Sequence, residues 1–229
     1  MCRAIVLFSG GIDSTTALYW SKPKWNKVFA LSIDYGQRHR VEIETSKFVP
    51  HSLGFDHRIF RFDLSQIGGS ALTDPDISLP QFESEQEIGE DVPDTYVPFR
   101  NGIFLSIAAA WADVIDAEAL VVGFNVVDSP NYPDTGKEFI NAMQRAVNLG
   151  TRASASNKEL KIYAPFVHMK KSEIIHDGLQ MGADYSYSIS CYSGQEKPCC
   201  RCSACRLRQK AWEEVGCRDH LLERLNREE

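Results

Sequence analysis

Ala4-Ile5-Val6-Leu7-Phe8 runs straight into Ser9-Gly10-Gly11-Ile12-Asp13-Ser14-Thr15-Thr16. No other stretch constrains the fold as tightly. A short β-rich apolar run, a double-glycine turn and a helix start make a strand–loop–helix cradle. The glycines let backbone N–H groups turn inward toward an anion. Asp13 or Ser14 can cap the helix that begins there, and the helix N-terminus adds partial positive charge. Phosphate is the anion that suits such a cradle. A kinase-type phosphate loop ends in Gly-Lys-Ser/Thr; here no lysine follows the glycines. The loop is therefore expected to hold the pyrophosphate end of ATP rather than to serve γ-phosphoryl transfer. Phe8, Ser9, Gly10, Gly11, Ile12, Asp13, Ser14, Thr15 and Thr16 are the candidate nucleotide contacts.

The second constraint lies near the other end. Cys191, Cys199, Cys202 and Cys205 are spaced C-x7-C-x2-C-x2-C. Four thiolates around one ion are the usual structural zinc site, and two-residue gaps let a tight turn aim successive sulfurs at one metal. Cys200 sits beside a ligand and too close to Cys202 for the usual pair, so it is left out. A disulfide framework does not fit a chain with no signal-peptide pattern and an ATP loop at residue 9, which point to a reducing, cytoplasmic setting. An iron–sulfur cluster would use similar thiolates and stays open beside zinc.

Between these poles, strand-like and helix-like runs alternate. Strands are expected at 3–8, 28–34, 57–63, 119–124 and 160–163. Helices are expected at 13–21, 39–52, 102–116, 135–149 and 171–181, with a final helix after the cysteines. Alternation of this kind implies a Rossmann-like parallel sheet with helices on both faces. Residues 1–185 would form the nucleotide domain and 186–229 a helical, cysteine-bearing segment. Ligands of such sheets sit beyond the carboxyl ends of the strands, where strand order reverses. Ser9, Asp34-Tyr35 and Gly123-Phe124-Asn125 stand at such ends and would converge on one crevice. From Gly68 to Pro98 runs a long irregular segment carrying Glu83, Glu85, Glu87, Glu90 and Asp91. Its length suits a lid, an interface arm or a solvated loop.

Composition narrows the partners. A net charge of −6 argues against a broad nucleic-acid surface. Arg201, Arg206, Arg208 and Lys210 cluster around the cysteines, as a local patch or as a solvated helix face. No apolar run approaches the ~18–20 residues that span a membrane.

The glycine loop resembles the SGGxDS loop of the ATP pyrophosphatase superfamily, whose members cleave ATP to AMP and pyrophosphate. Four further segments sharpen the resemblance: Asp34-Tyr35-Gly36-Gln37-Arg38-His39, Thr95-Tyr96-Val97-Pro98-Phe99-Arg100-Asn101, Tyr132-Pro133-Asp134 leading into Glu138-Phe139-Ile140, and Ser190-Cys191-Tyr192 with Cys202-Ser203-Ala204-Cys205-Arg206-Leu207-Arg208. Together they resemble the QueC family, 7-cyano-7-deazaguanine synthases, over residues 3 to about 215.

That resemblance implies an enzyme acting on 7-carboxy-7-deazaguanine, ATP-Mg²⁺ and ammonia, with one zinc per chain, working as a homodimer. It implies catalytic roles for Ser9, Asp13, Ser14 and Lys171, with Arg38 and Lys171 balancing phosphate charge and Asp34 and Tyr35 near the nucleotide. Asp13 would orient the loop or bind Mg²⁺ through water. Phe99, Arg100, Asn101, Asp128, Tyr132 and Asp134 would meet the acid substrate; a plain helix N-cap is the other reading of Asp134. Two departures stand out. Phe99 replaces the family's usual glycine and is expected to narrow the pocket. Pro130-Asn131-Tyr132-Pro133-Asp134-Thr135-Gly136 replaces Ser-Gly-Tyr-Pro-Asp-Cys-Arg. These leave room for a paralogue that passes the activated acid to a protein amine. More distant alternatives are a tRNA sulfur-transfer enzyme and a zinc-bearing nucleotide sensor.

Overall fold

The computed structural model describes residues 2–89, 91–127, 131–152, 155, 158–195 and 197–228. Five parallel strands form one sheet: β1 (Arg3–Leu7), β2 (Lys27–Asp34), β3 (Asp56–Arg61), β4 (Ala119–Val121) and β5 (Lys161–Tyr163), in the order β3-β2-β1-β4-β5. β1 lies at the centre, with Ala4, Ile5 and Val6 fully buried. A strand covered on both faces reads as a continuous apolar run, as here.

The helices are α1 (Ile12–Ser21), α2 (Val41–Thr45), α3 (Phe48–Ser52), α4 (Arg100–Ile115), α5 (Lys137–Gly150), α6 (Lys171–Gln180), α7 (Ser203–Val215) and α8 (His220–Arg227). One apolar core joins the sheet to α4 and α5 through Leu105, Ala108, Ala112, Ile140 and Val147. The other covers the opposite face with Ala17, Leu18 and Ile174 of α1 and α6. The sheet is thus sandwiched between helices, as the alternation of elements implies. Strand order reverses on either side of β1, which puts the crevice beyond the ends of β1 and β4.

Three expectations are corrected. The helix expected over 39–52 is two short helices. Pro50 lacks an N–H and its ring would press on the carbonyl of Ser46, which breaks the helix there. The single last helix is also two, split at Gly216, which takes a left-handed φ of 75°. The strand expected to 124 stops at Val121.

The long segment between β3 and α4 is an arm laid across the cysteine region. Among the described residues its one helical element is a 3-10 turn at Glu85–Glu87. Phe82 N–H donates to the Arg201 carbonyl at 2.8 Å, and Arg206 Nε donates back to the Phe82 carbonyl at 2.9 Å. Glu85 pairs with Lys210 at 3.4 Å and Glu83 approaches Arg206 at 3.9 Å. Much of the basic cluster therefore faces the chain's own acidic arm.

Candidate active site

Ser9 and Gly10 close β1, and Gly10 takes a φ of +92°, a region open to glycine. A Cβ there would stand 3.2 Å from the Glu42 carbonyl oxygen. Gly11 is the N-cap of α1 and no side chain caps it. Neither Asp13 nor Ser14 serves as the cap. Ser14 Oγ instead donates to the Gly11 carbonyl at 3.0 Å and accepts from the Ser9 N–H at 3.3 Å, so the loop is closed by its own atoms. The first-turn N–H groups have no carbonyl one turn back, and without a side-chain cap they remain open to an anion. Gly123, just past β4, lies flush against this turn: a Cβ there would come within 2.9 Å of Asp13 and Ser14 backbone atoms.

These elements open on a cleft of about 290 Å³. One wall is Phe8, Ser9, Gly11, Ile12, Asp13 and Ser14; another is Tyr35, Arg100, Asn101, Phe104 and Tyr132. Gly123, Phe124 and Asn125 also line it, so the ends of β1, β2 and β4 do converge. Lys171 reaches in from the start of α6 and holds the Asp13 carboxylate at 2.8 and 2.9 Å. Arg100 Nη1 donates to the Tyr35 hydroxyl at 2.9 Å, and the guanidinium lies 5.6 Å from the Tyr35 ring centroid. Burial works against the Arg100 charge, but the hydroxyls of Tyr35, Tyr132 and Tyr192 outweigh it and hold the group more firmly protonated than usual. Burial pushes the phenols of Tyr35 and Tyr192 up, so both stay neutral. The result is one cleft with a loop shaped for phosphate and a fixed planar cation opposite.

Some sequence candidates stand apart from the lining. Thr15 is buried, and the Thr16 hydroxyl donates to the Ile12 carbonyl and meets the Tyr185 hydroxyl at 2.7 Å. Asp34 faces Arg40 and Arg61 at 3.9 and 3.7 Å. Arg38 turns to the arm and donates to the carbonyls of Ala71 and Ile77. Asp134 caps α4: its Oδ2 accepts the Asn101 N–H at 2.9 Å, while Asn101 Nδ2 donates to the Asp134 carbonyl at 3.2 Å. The capping alternative is corrected: the helix that follows Asp134 has Gly136 as its N-cap and no side-chain cap, and the Asp134 carboxylate serves the first turn of α4 instead. Asp128 lies outside the described residues.

Phe99 does not narrow the cleft. It takes a left-handed φ of 53° as the residue before α4 and is 53 % exposed. Its ring lies over Gly102, where a Cβ would collide at 2.4 Å, and edge-on to Phe139 at 6.0 Å. The cleft also contains residues that sequence reasoning left unassigned: Gln37, His39, Glu42, Ser190, Tyr192 and Arg208. All lie in or beside the segments that carry the family resemblance, which was the signal available.

The third wall comes from the cysteine region. The sulfurs of Cys191, Cys199, Cys202 and Cys205 lie within 4.8 Å of one another. Zn–S bonds of about 2.3 Å put tetrahedral sulfurs roughly 3.8 Å apart, and Cys199 and Cys205 already stand at 4.0 Å. The Cys199 and Cys202 N–H groups donate to the Cys191 and Cys199 sulfurs. Four soft donors with amide support fit a closed thiolate metal site. Cys200 is exposed and turns toward the Pro198 carbonyl, outside the cluster. Ile189 N–H donates to the Gly10 carbonyl at 3.1 Å, joining this region to the phosphate loop. Arg208 of α7 forks onto Asp219 at 2.5 and 2.7 Å and donates to the Ser188 carbonyl at 2.7 Å.

With this geometry in place, comparison with known proteins is decisive. The family model described as "Queuosine biosynthesis protein QueC" matches residues 3–216. The chain belongs to the QueC family. A relative from Trichodesmium erythraeum, named 7-cyano-7-deazaguanine synthase, is 43% identical over 96% of this chain and 100% of its own. One of the same name from Saccharophagus degradans is 44% identical over 95% and 96%. Among solved structures, an NMN synthetase from Francisella tularensis matches with a TM-score of 0.51 and 14% identity, over 98% of this chain and 82% of that one. A 4-thiouridine synthetase solved with RNA and ATP also scores 0.51, at 19% identity, over 94% of this chain and 50% of that one. These two likenesses are of fold.

Proposed function

We propose that this member of the QueC family is a 7-cyano-7-deazaguanine synthase. It converts 7-carboxy-7-deazaguanine, ammonia and ATP to the nitrile base through an acyl-adenylate and an amide. The observation that carries the reading is the shared cleft: an uncapped helix N-terminus behind a double-glycine loop faces Arg100 across one small space. A carboxylate is a poor acyl donor because oxide would have to leave. AMP on the carboxylate supplies a good leaving group, and ammonia then gives the amide. A second adenylation, on the amide oxygen, allows AMP to leave again as the nitrile forms.

The chain's part is positioning and charge stabilisation. The Ser9–Ser14 loop would cradle the pyrophosphate. Lys171, now on Asp13, would turn to the phosphates, leaving Asp13 to hold water around Mg²⁺. Arg100 presents a fork that can bond both oxygens of a planar carboxylate, with Asn101 and Tyr132 beside it. Asp134 acts by fixing the start of α4 and hence Arg100. Arg38 and Asp34 would shape the cleft's flank rather than touch phosphate. Cys191, Cys199, Cys202 and Cys205 would hold one zinc, whose role is to fold the wall. We further infer a cytoplasmic homodimer. No helix among the described residues is long and apolar enough to cross a membrane.

The test is mass spectrometry of products from 7-carboxy-7-deazaguanine, ATP-Mg²⁺ and ammonia. The nitrile base with two AMP and two pyrophosphate per turnover is expected. ADP as the main nucleotide product, or an acylated protein in place of the nitrile, overturns the reading.

A further inference from the structure

The cleft contains a hydrogen-bonded histidine–carboxylate pair that neither the phosphate loop nor the acid pocket uses. His39 follows β2, and Glu42 lies in the first turn of α2. His39 Nε2 stands 3.0 Å from a Glu42 carboxylate oxygen, with the side chains only 6% and 13% exposed. A carboxylate accepts and does not donate, so Nε2 carries the hydrogen and Nδ1 of the neutral ring is a bare acceptor. That Nδ1 is buried and has no hydrogen-bond partner. A buried acceptor without a donor costs free energy, which an incoming N–H recovers. Both residues line the cleft.

The pair stands between the two ends of the chain. The His39 ring packs on Tyr192, with centroids 5.8 Å apart. Gly194 presses so close that a Cβ there would meet the His39 Cα at 3.1 Å. On the other side, Glu42 Cγ lies 3.4 Å from where a Cβ on Gly10 would be. Among the described residues Glu42 makes no ion pair with lysine or arginine, whereas Asp13 already holds Lys171. Glu42 is thus the carboxylate of this cleft left to orient a histidine.

The chemistry needs a proton acceptor at two stages. Ammonium must lose a proton before its nitrogen can attack the acyl carbon. The C–N bond then forms, the C–O bond to AMP breaks, the nitrogen sheds a second proton and AMP departs with the bond's electron pair. In the nitrile-forming stage the adenylated amide loses its two remaining N–H protons as its C–O bond to AMP breaks. No oxidant or reductant enters. We propose that His39, oriented by Glu42, takes the proton from the amine nitrogen. This rests on the acyl-adenylate reading above. A carboxylate behind an imidazole fixes the tautomer and stabilises the imidazolium that forms, as in other base-assisted sites.

The test compares two amines on one adenylate. Ammonia arrives as ammonium, whereas hydroxylamine is largely uncharged at neutral pH and traps an acyl-adenylate as a hydroxamate without prior deprotonation. In His39→Gln and Glu42→Gln, ammonia-dependent product should fall about 10²-fold or more. Hydroxamate should fall far less, so the ratio of hydroxamate to ammonia-derived product (amide plus nitrile) rises at least about tenfold. The two substitutions and the melting temperature guard against a folding artefact. A structural staple between His39 and Glu42 would lower both products together, and that result overturns the proposal. So does an unchanged ratio in both variants. A wild-type enzyme that makes neither hydroxamate nor AMP overturns the acyl-adenylate reading itself, and this proposal with it.

Discussion

Two walls of the cleft are built in opposite ways. The phosphate loop hangs from β1, whose strand pairs on both sides and whose Ala4, Ile5 and Val6 are fully buried. Its turn is closed by Ser9 and Ser14, and Gly123 presses against it from β4. Everything that shapes it belongs to the chain itself. The cysteine wall has no helix or strand among the described residues between Gln180 and Ser203. Its order depends on four sulfurs gathered at one point. A backbone-defined site needs only the fold, whereas a ligand-defined site needs its metal. The Ile189–Gly10 hydrogen bond is where the second wall leans on the first.

The largest expected effect comes from removing the metal. Structural zinc binding is on the order of 10 kcal/mol and is coupled to local folding. Cys205→Ser, or a strong chelator, should take the metal from one per chain to near none. Amide hydrogens after residue 186 should then exchange fast, while those of β1 and α1 stay protected. Cys200→Ser should leave metal content unchanged, since that sulfur faces away from the cluster. Elemental analysis and hydrogen exchange read this directly. Iron in place of zinc would change the metal, and protection lost equally at β1 would erase the contrast.

Next in size is the loop. Asp13→Ala and Ser14→Ala should each cut AMP and pyrophosphate formation by roughly 10²–10³, the scale seen when one preorganised electrostatic contact is lost. Metal content should stay at one per chain. If either substitution also released the metal, the walls would be one cooperative unit rather than two.

The same contrast explains what the sequence made readable. The sheet was legible because buried parallel strands are short apolar runs, and the ends of 3–7, 27–34 and 119–121 differ from expectation by only a few residues. The four cysteines were legible because spacing alone encodes a tetrahedral site. Phe99 was not. Its position before α4 takes a left-handed φ that glycine accepts readily, and the ring that replaces the missing hydrogen turns outward over Gly102. Bulk at a sequence motif does not say which way it points. Asp134 was not legible: the helix after it starts uncapped at Gly136, and the carboxylate instead takes the Asn101 N–H of a helix that begins 34 residues earlier, at Arg100. His39 and Glu42 stood in view on either side of a helix start, and only their meeting at 3.0 Å inside the cleft sets them apart.

The smallest expected effect separates the walls by acid. His57 on β3 lies under the loop-bearing strand end: Ser32 Oγ donates to the Phe8 carbonyl at 2.6 Å and meets His57 Nε2 at 2.8 Å. Ser32 has already given its hydrogen, so it accepts from Nε2–H. Burial, and then the Lys47 charge, hold the His57 pKa below its ordinary value of 6.5. The unfolded chain takes that proton near 6.5; the folded chain takes it only at lower pH. Over that interval the unfolded state binds more protons, so stability rises with pH. The contribution is fully present above 6.5 and is lost as pH falls through the folded value. His57→Gln should therefore blunt the drop in melting temperature between pH 7.5 and pH 5.5. The difference should stay within the ~2–4 °C that 1 kcal/mol produces in a domain of this size. The cysteine wall also fails in acid, because protonated thiols release metal, and this would mask the histidine. Melting curves on metal-stripped protein remove that mask. There the difference between wild type and His57→Gln should persist, since it belongs to the backbone-defined wall. Identical acid sensitivity of the two stripped proteins would show that His57 gives that wall no pH dependence.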